Sequence, residues 1–202
     1  MNHQPLTIKK LPLNEYRLPK VIFLDAVGTL FGVKGSVGEV YSSIARNWGV
    51  EVTADDLDRA FIKSFKASTA PIFPEINQQS LALKDAEYRW WRAIAKKTFE
   101  EVKVIDRFVD FEKFFAQLYE HFATAQPWYI YNDVLPALIN WQEKEVELGI
   151  ISNFDTRLDR VLESLNLKHF FRSITISSVV GAAKPDSHIF MQALAMNNYD
   201  PD

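Results

Sequence analysis

The sequence predicts an α/β fold, a Rossmann-like parallel sheet whose core is interrupted by an all-helical insert. Three observations carry this. The apolar run Val21-Ile22-Phe23-Leu24 ends in an acid, Asp25, and a glycine-containing loop, which is the pattern of a buried parallel strand. Residues from about 126 to 202 alternate strand-like and helix-like apolar patterns, which argues for parallel strands joined by right-handed crossovers. The stretch between them, roughly 39–125, reads as helices throughout. The chain therefore divides into a lead-in (1–19), a core in two pieces (20–36 and 126–202) and a helical insert (37–125). The hinges are expected near Gly32 to Gly38 and near Gln126-Pro127.

The elements follow in order. After Asp25, the run VGTLFGVKGSVG holds Gly28, Gly32, Gly35 and Gly38, the spacing of a mobile or tightly turned connector. Val40, Ile44 and Trp48 then recur at helical spacing. Thr53 is placed to cap a helix through ADDLDRAFIKSF, with Asp56 three residues on as an acidic variant of the capping box. Pro71 and Pro74 break the helices that follow. Trp90 and Trp91 are adjacent and cannot both face one core, so one is expected at a groove or interface. Phe108, Phe111, Phe115, Leu118 and Phe122 form an apolar stripe read as helix packed on helix. Val134 to Gln142 reads as a helix and Val146 to Ile151 as a strand ending at Ser152-Asn153. Asp155 is the expected N-cap of a helix bearing Leu158, Val161, Leu162 and Leu165. Ser173 to Val180 reads as another strand. Lys184-Pro185-Asp186 leads into a last helix through Ile189, Phe190, Ala193 and Leu194.

Composition narrows the function. The 202 residues are 48% hydrophobic and 24% charged, with a formal net charge of -3. Acids and bases are mixed along the chain, so nothing favours nucleic acid or an anionic membrane surface as partner. No apolar run approaches the ~20 residues needed to span a bilayer. There is no cysteine, which excludes disulfide and thiolate chemistry and fits a reducing cytoplasm. His3, His121, His169 and His188 are scattered without an HxxxH pair, so a zinc site is not expected. A small-molecule ligand remains, and the sequence leaves the oligomeric state open.

Open parallel sheets bind ligands beyond the carboxyl ends of their strands. Asp25, Ser152 and the loop bearing Lys184 sit after three successive strands. A lone acid there is usually a turn residue, but the three together read as a site. Asp25 suits a nucleophile, and Lys184 suits neutralisation of an incoming anion. Thr29 and Ser152 can donate to that anion, as can backbone N–H groups around Gly28 and Asn153. GTLFGVKG has the wrong spacing for a P-loop, and GIISNF lacks the flanking glycines of a nucleophile elbow.

DAVGTL, IISN and AAKPDSHIF, in this order and with a helical insert after the first, resemble the haloacid dehalogenase-like (HAD) hydrolase superfamily over roughly residues 20–202. The insert resembles the helical cap of its subfamily I, and YRWWRAIAKKTF resembles one group within it. The resemblance implies that Asp25 is the nucleophile. Most members are magnesium-dependent phosphatases, which implies Mg2+ held by Asp25, the Val27 carbonyl and an acid on a fourth loop. The sequence departs from that pattern twice. Val27 stands where phosphatases carry a second aspartate that protonates the leaving group, work worth ~10²–10⁴-fold in rate. The acidic fourth motif is not found in NNYDPD, where Asp200 and Asp202 follow no strand. The core is therefore expected to lack its last strand, as a truncated form of a longer protein, and to bind magnesium weakly. Three readings result. One is a hydrolase using Asp25 on a small phosphorylated metabolite. Another is a metal-free 2-haloacid dehalogenase, for which Val27 is no defect and Arg46 or Arg59 would be the available substrate clamp. The last is a non-catalytic homologue that binds a metabolite or a protein.

Overall fold

The apolar stretch Glu147–Ser152 forms the middle strand of a parallel sheet in a computed structural model that describes residues 18–76 and 80–200. The expected lead-in lies outside the described residues except for Leu18 and Pro19. In chain order the elements are β1 (Val21–Leu24), β2 (Phe31–Val33), α1 (Val37–Asn47), α2 (Ala54–Lys66), α3 (Leu81–Glu101), α4 (Phe111–His121) and β3 (Trp128–Ile130). Then come α5 (Val134–Glu143), β4 (Glu147–Ser152), α6 (Arg157–Ser164), β5 (Ser173–Ile176), α7 (Ser177–Val180) and α8 (Ser187–Met196).

The sheet order is β1-β4-β5, all parallel, with Leu24 opposite Ile150 and Ser152 opposite Ile176. Successive β4 side chains point to opposite faces. Leu148 and Ile150 meet Leu138 of α5 and Leu158, Val161 and Leu162 of α6, whereas Ile151 meets Ile189 and Ala193 of α8. Helices thus cover both faces, and β4 is buried at every position from Leu148 to Ser152. Each fully buried Leu or Ile of this kind contributes about 1.5–3 kcal/mol of transfer free energy. Gly149 lets β1 and β5 close on β4, because a Cβ there would lie 2.7 Å from the Phe23 ring and 2.9 Å from Ser173 Oγ.

The expectation of a buried first strand needs correction. All four β1 residues are only partly buried, because among the described residues β1 pairs with β4 alone and its other edge has no strand beside it.

Helices α1–α4 form a separate layer with its own core, which holds Tyr41, Leu57, Phe99, Phe114 and Leu118. Thr53 caps α2 as the sequence indicates: its side chain accepts from the Asp56 N–H at 3.2 Å. Of the stripe, Phe108 and Phe111 stand edge-to-face, centroids 5.6 Å apart at 76°, a favoured aromatic geometry. Where the chain enters and leaves this layer, β2 and β3 pair as an antiparallel ribbon, Phe31 opposite Ile130 and Val33 opposite Trp128. The sequence reading has no strand at either place, since each is three residues long and β2 contains Gly32.

Two further expectations change. The strand read over Ser173 to Val180 stops at Ile176, and Ser177–Val180 is one helical turn ended by Gly181. Ser177 Oγ donates to the Phe154 carbonyl at 3.2 Å and Ser178 Oγ to Glu87 at 2.6 Å, so both serines turn the chain away from the sheet. Asp155 is not the N-cap of α6; Thr156 is, without a side-chain cap. Asp155 does accept from the Arg157 N–H at 2.9 Å, but its carboxylate is chiefly committed elsewhere.

Candidate active site

The sheet geometry brings Asp25, Ser152 and Lys184 to one edge. Lys184 Nζ lies 2.8 Å from Asp25 Oδ1 and donates at 2.8 Å to the Ile151 carbonyl, so the ammonium bridges the ends of β1 and β4. Asn153 fixes the lysine's backbone from both sides: its amide donates to the Lys184 carbonyl at 3.0 Å, and its carbonyl oxygen accepts from the Lys184 N–H at 2.7 Å.

The Ala26 N–H also donates to Asp25 Oδ1, at 2.8 Å. The hydrogen bond and the ion pair of the carboxylate therefore converge on one oxygen. Oδ2 has no partner among the described residues, and the side chain is 43% exposed. A carboxylate held by one oxygen with the other facing open space is oriented for attack. Thr29 is exposed on the same loop, and Ser152 is buried at the β4 terminus. Gly28 adopts φ +86, a left-handed conformation that costs glycine least. Its own N–H donates to the Phe31 carbonyl at 2.8 Å.

The implied magnesium site can be tested on its donors. Among the described residues, the donors that the resemblance implies are the Asp25 carboxylate, with Oδ1 already paired to Lys184, and the Val27 carbonyl. No group of three acidic or histidine side chains gathers among the described residues. That donor set does not fit a magnesium site, which prefers near-octahedral oxygen coordination.

Beside this edge lies a cavity of about 470 Å³, walled by the helical layer, the β2–β3 ribbon and the loop after β4. Val27 and Asn153 line its floor, so it adjoins the loops that carry Asp25 and Lys184. Phe115, Leu118 and Phe122 of the aromatic stripe serve both as helix packing and as cavity wall. Trp90 and Trp91 both line it, where only one was expected at a groove; they stand edge-to-face at 4.7 Å. Of the arginines considered as a clamp, Arg59 pairs with Asp56 at the surface and Arg46 is exposed; neither lines this cavity.

A buried polar network closes the cavity against the core, and the sequence reading missed it. Asp155 is fully buried and Arg157 nearly so, paired at 2.6 Å. Trp91 Nε1 donates to Asp155 Oδ2, and Arg157 donates to the Tyr119 carbonyl at 3.0 Å while its guanidinium lies 3.7 Å from the Tyr119 ring centroid. Glu87 of α3, also fully buried, accepts from the Thr156 N–H and hydroxyl and from Ser178. Burial pushes the Glu87 carboxyl above its ordinary value, against the hydrogen bonds from Ser178 and Thr156. Burial also raises the phenols of Tyr41 and Tyr119, keeping both neutral. A signal for these charges exists in the sequence. Glu87 shares a helical face with Leu83 and Ile94, and Arg157 precedes Val161 by four residues, so both sit on apolar stripes.

No helix among the described residues is long and apolar enough to cross a membrane. A model of the haloacid dehalogenase-like hydrolases matches residues 19–202. The chain is 29% identical over 182 residues to haloacid dehalogenase-like hydrolase domain-containing protein 3 of Bos taurus, covering 90% of this chain and 70% of that protein. Among solved structures it resembles the L-2-haloacid dehalogenase of Xanthobacter autotrophicus, at TM-score 0.60, 16% identity, and 92% and 67% coverage of the two chains. It also resembles a HAD phosphatase from Thermococcus onnurineus, at TM-score 0.54, 19% identity, and 91% and 74% coverage.

Proposed function

The chain belongs to the haloacid dehalogenase-like hydrolase family, and from that premise we propose that it is a hydrolase with Asp25 as nucleophile, acting on a small phosphorylated metabolite. The observation that carries this is the Asp25 carboxylate itself, anchored through Oδ1 and, among the described residues, unpartnered at Oδ2. In the first step Oδ2 attacks phosphorus and the bond to the leaving oxygen breaks, giving an aspartyl phosphate and an alkoxide or phenoxide. In the second, water attacks phosphorus, inorganic phosphate leaves and the carboxylate is restored. Lys184 neutralises charge on the phosphoryl group, and Thr29 and Ser152 donate to its oxygens. Helices α1–α4 act as a cap over the reacting edge. With valine at position 27 the leaving group receives its proton from solvent, so departure as an anion governs the rate.

The test is hydrolysis of a generic aryl phosphate, with and without magnesium, by wild type and Asp25→Asn. Turnover that the substitution abolishes supports the reading; turnover no higher than that of the variant overturns it.

Val27 also favours a second reading, carbon–halogen hydrolysis, in which Oδ2 displaces halide from C2 of a haloacid and no leaving-group proton is needed. Among the described residues no arginine of α1–α4 lines the cavity, which counts against it. Halide release from 2-chloropropionate separates the two. Silence in both assays leaves the non-catalytic, binding reading.

A further inference from the structure

We propose, resting on the hydrolase reading above, that the non-reacting part of the substrate is an aromatic ring, making the substrate class an aryl phosphate monoester. Of the twenty described residues that line the cavity beside Asp25, ten are aromatic and six more are Val, Leu, Ala or Pro. Among the described residues the lining contains no acid and no lysine, and its one charged side chain, Arg157, is spent on Asp155 and the Tyr119 carbonyl. A second phosphate or carboxylate on the substrate would find no free cation there. Beyond Ser68, Thr69, Asn153 and the hydroxyls of Tyr41 and Tyr119, the described lining offers little to the several hydroxyls of a sugar, and unpaired polar groups are costly in an apolar site.

The cavity is also too large to be a packing fault. Well-packed interiors leave few voids bigger than a water molecule, whereas about 470 Å³ lies within the range of small-molecule pockets. Its walls are arranged for ring contact. Phe65 stacks on Phe61 at 5.7 Å and on Trp91 at 5.9 Å, and Trp90 stands edge-on to both Phe65 and Trp91. A flat ring entering this set gains edge-to-face and stacked partners at once.

The chemistry of the reacting edge points the same way. Valine replaces the acid that would protonate a poor leaving group. A phenol, with a pKa near ~10, departs as an anion far more readily than an aliphatic alcohol. An aromatic pocket beside a nucleophile without its acid partner therefore matches a substrate whose leaving group is a phenoxide.

The test uses two non-hydrolysable probes, phenylphosphonate and methylphosphonate, titrated against the full chain by tryptophan fluorescence, since Trp90, Trp91 and Trp128 line the cavity. Phenylphosphonate is expected to bind at least ~10-fold tighter. Phe65→Asp, at a side chain 43% exposed and therefore tolerant of change, should erase that ratio while circular dichroism shows an unchanged fold. Asp25→Asn should keep the ratio. Equal binding of the two phosphonates, or a ratio that survives Phe65→Asp, overturns the inference. If the ratio behaves as expected but phenyl phosphate is not hydrolysed above the Asp25→Asn background, the hydrolase reading fails and the preference for aromatic anions stands.

Discussion

Replacing Arg157 by methionine tests the network that joins the helical layer to the sheet. The arginine makes three hydrogen bonds to protein: two to the Asp155 carboxylate, at 2.9 and 2.6 Å, and one to the Tyr119 carbonyl. Its side chain is 8% exposed and that of Asp155 is 0%. Methionine fills a similar volume but leaves the Asp155 carboxylate buried with only the Trp91 and Arg157 backbone N–H donors. Removing one member of such a pair costs about 3–5 kcal/mol, chiefly because the other charge is stranded. For a chain of this size that corresponds to a fall of about 6–20 °C in Tm, a large share of a total stability of about 5–15 kcal/mol. Arg160→Met is the internal control. Arg160 pairs with Glu120 with both side chains more than half exposed, and pairs of that kind contribute about 0–1 kcal/mol. Urea unfolding of the two variants gives the comparison, and adding Asp155→Asn to Arg157→Met should return part of the loss. An Arg157→Met cost no larger than that of Arg160→Met would refute the argument from burial.

Other predictions follow from single contacts. Gly149→Ala puts a methyl 2.7 Å from the Phe23 ring and should cost about 1–3 kcal/mol by overpacking; an unchanged urea midpoint would show that the strands can part without penalty. Burial raises the Glu87 carboxyl, so the folded state binds more protons than the unfolded one above the ordinary glutamate value of about 4.3. Stability should then fall as pH rises through that window, and Glu87→Gln should flatten the slope; parallel Tm–pH curves for wild type and variant would contradict it. Across a series of substituted phenyl phosphates, kcat should rise steeply as the phenol becomes more acidic, because residue 27 supplies no proton; a flat dependence would mean another group does.

Much of the site was legible because it lies at the ends of strands that the sequence marks strongly. Asp25 follows four apolar residues, Ser152 closes a five-residue buried run, and Lys184 precedes a helix with a clear start. Those positions follow from local patterning plus the parallel-sheet rule. The cavity and its polar seam were not legible, because they depend on pairs far apart in the chain. Trp91 meets Asp155 across 64 positions, and Glu87 meets Ser178 across 91. Periodicity says that Trp91 and Glu87 lie on a helix and does not say what that helix faces. The β2–β3 ribbon escaped for a related reason. Three residues carry too little pattern, and the pairing partner lies beyond the whole helical layer. The end of β5 was misplaced because five of the eight residues in SITISSVV are β-branched, and the serine contacts to Phe154 and Glu87 accompany its change into a helical turn.

The proposed hydrolysis requires a covalent bond between Asp25 Oδ2 and the substrate. That bond is trapped by quenching the protein in the presence of phenyl phosphate with borohydride, which reduces an aspartyl phosphate to homoserine, and sequencing the peptide that spans Val21 to Leu30 by mass spectrometry. Homoserine is expected at position 25, appearing only when substrate is present. Product release with Asp25 left unmodified at every quench time would contradict it.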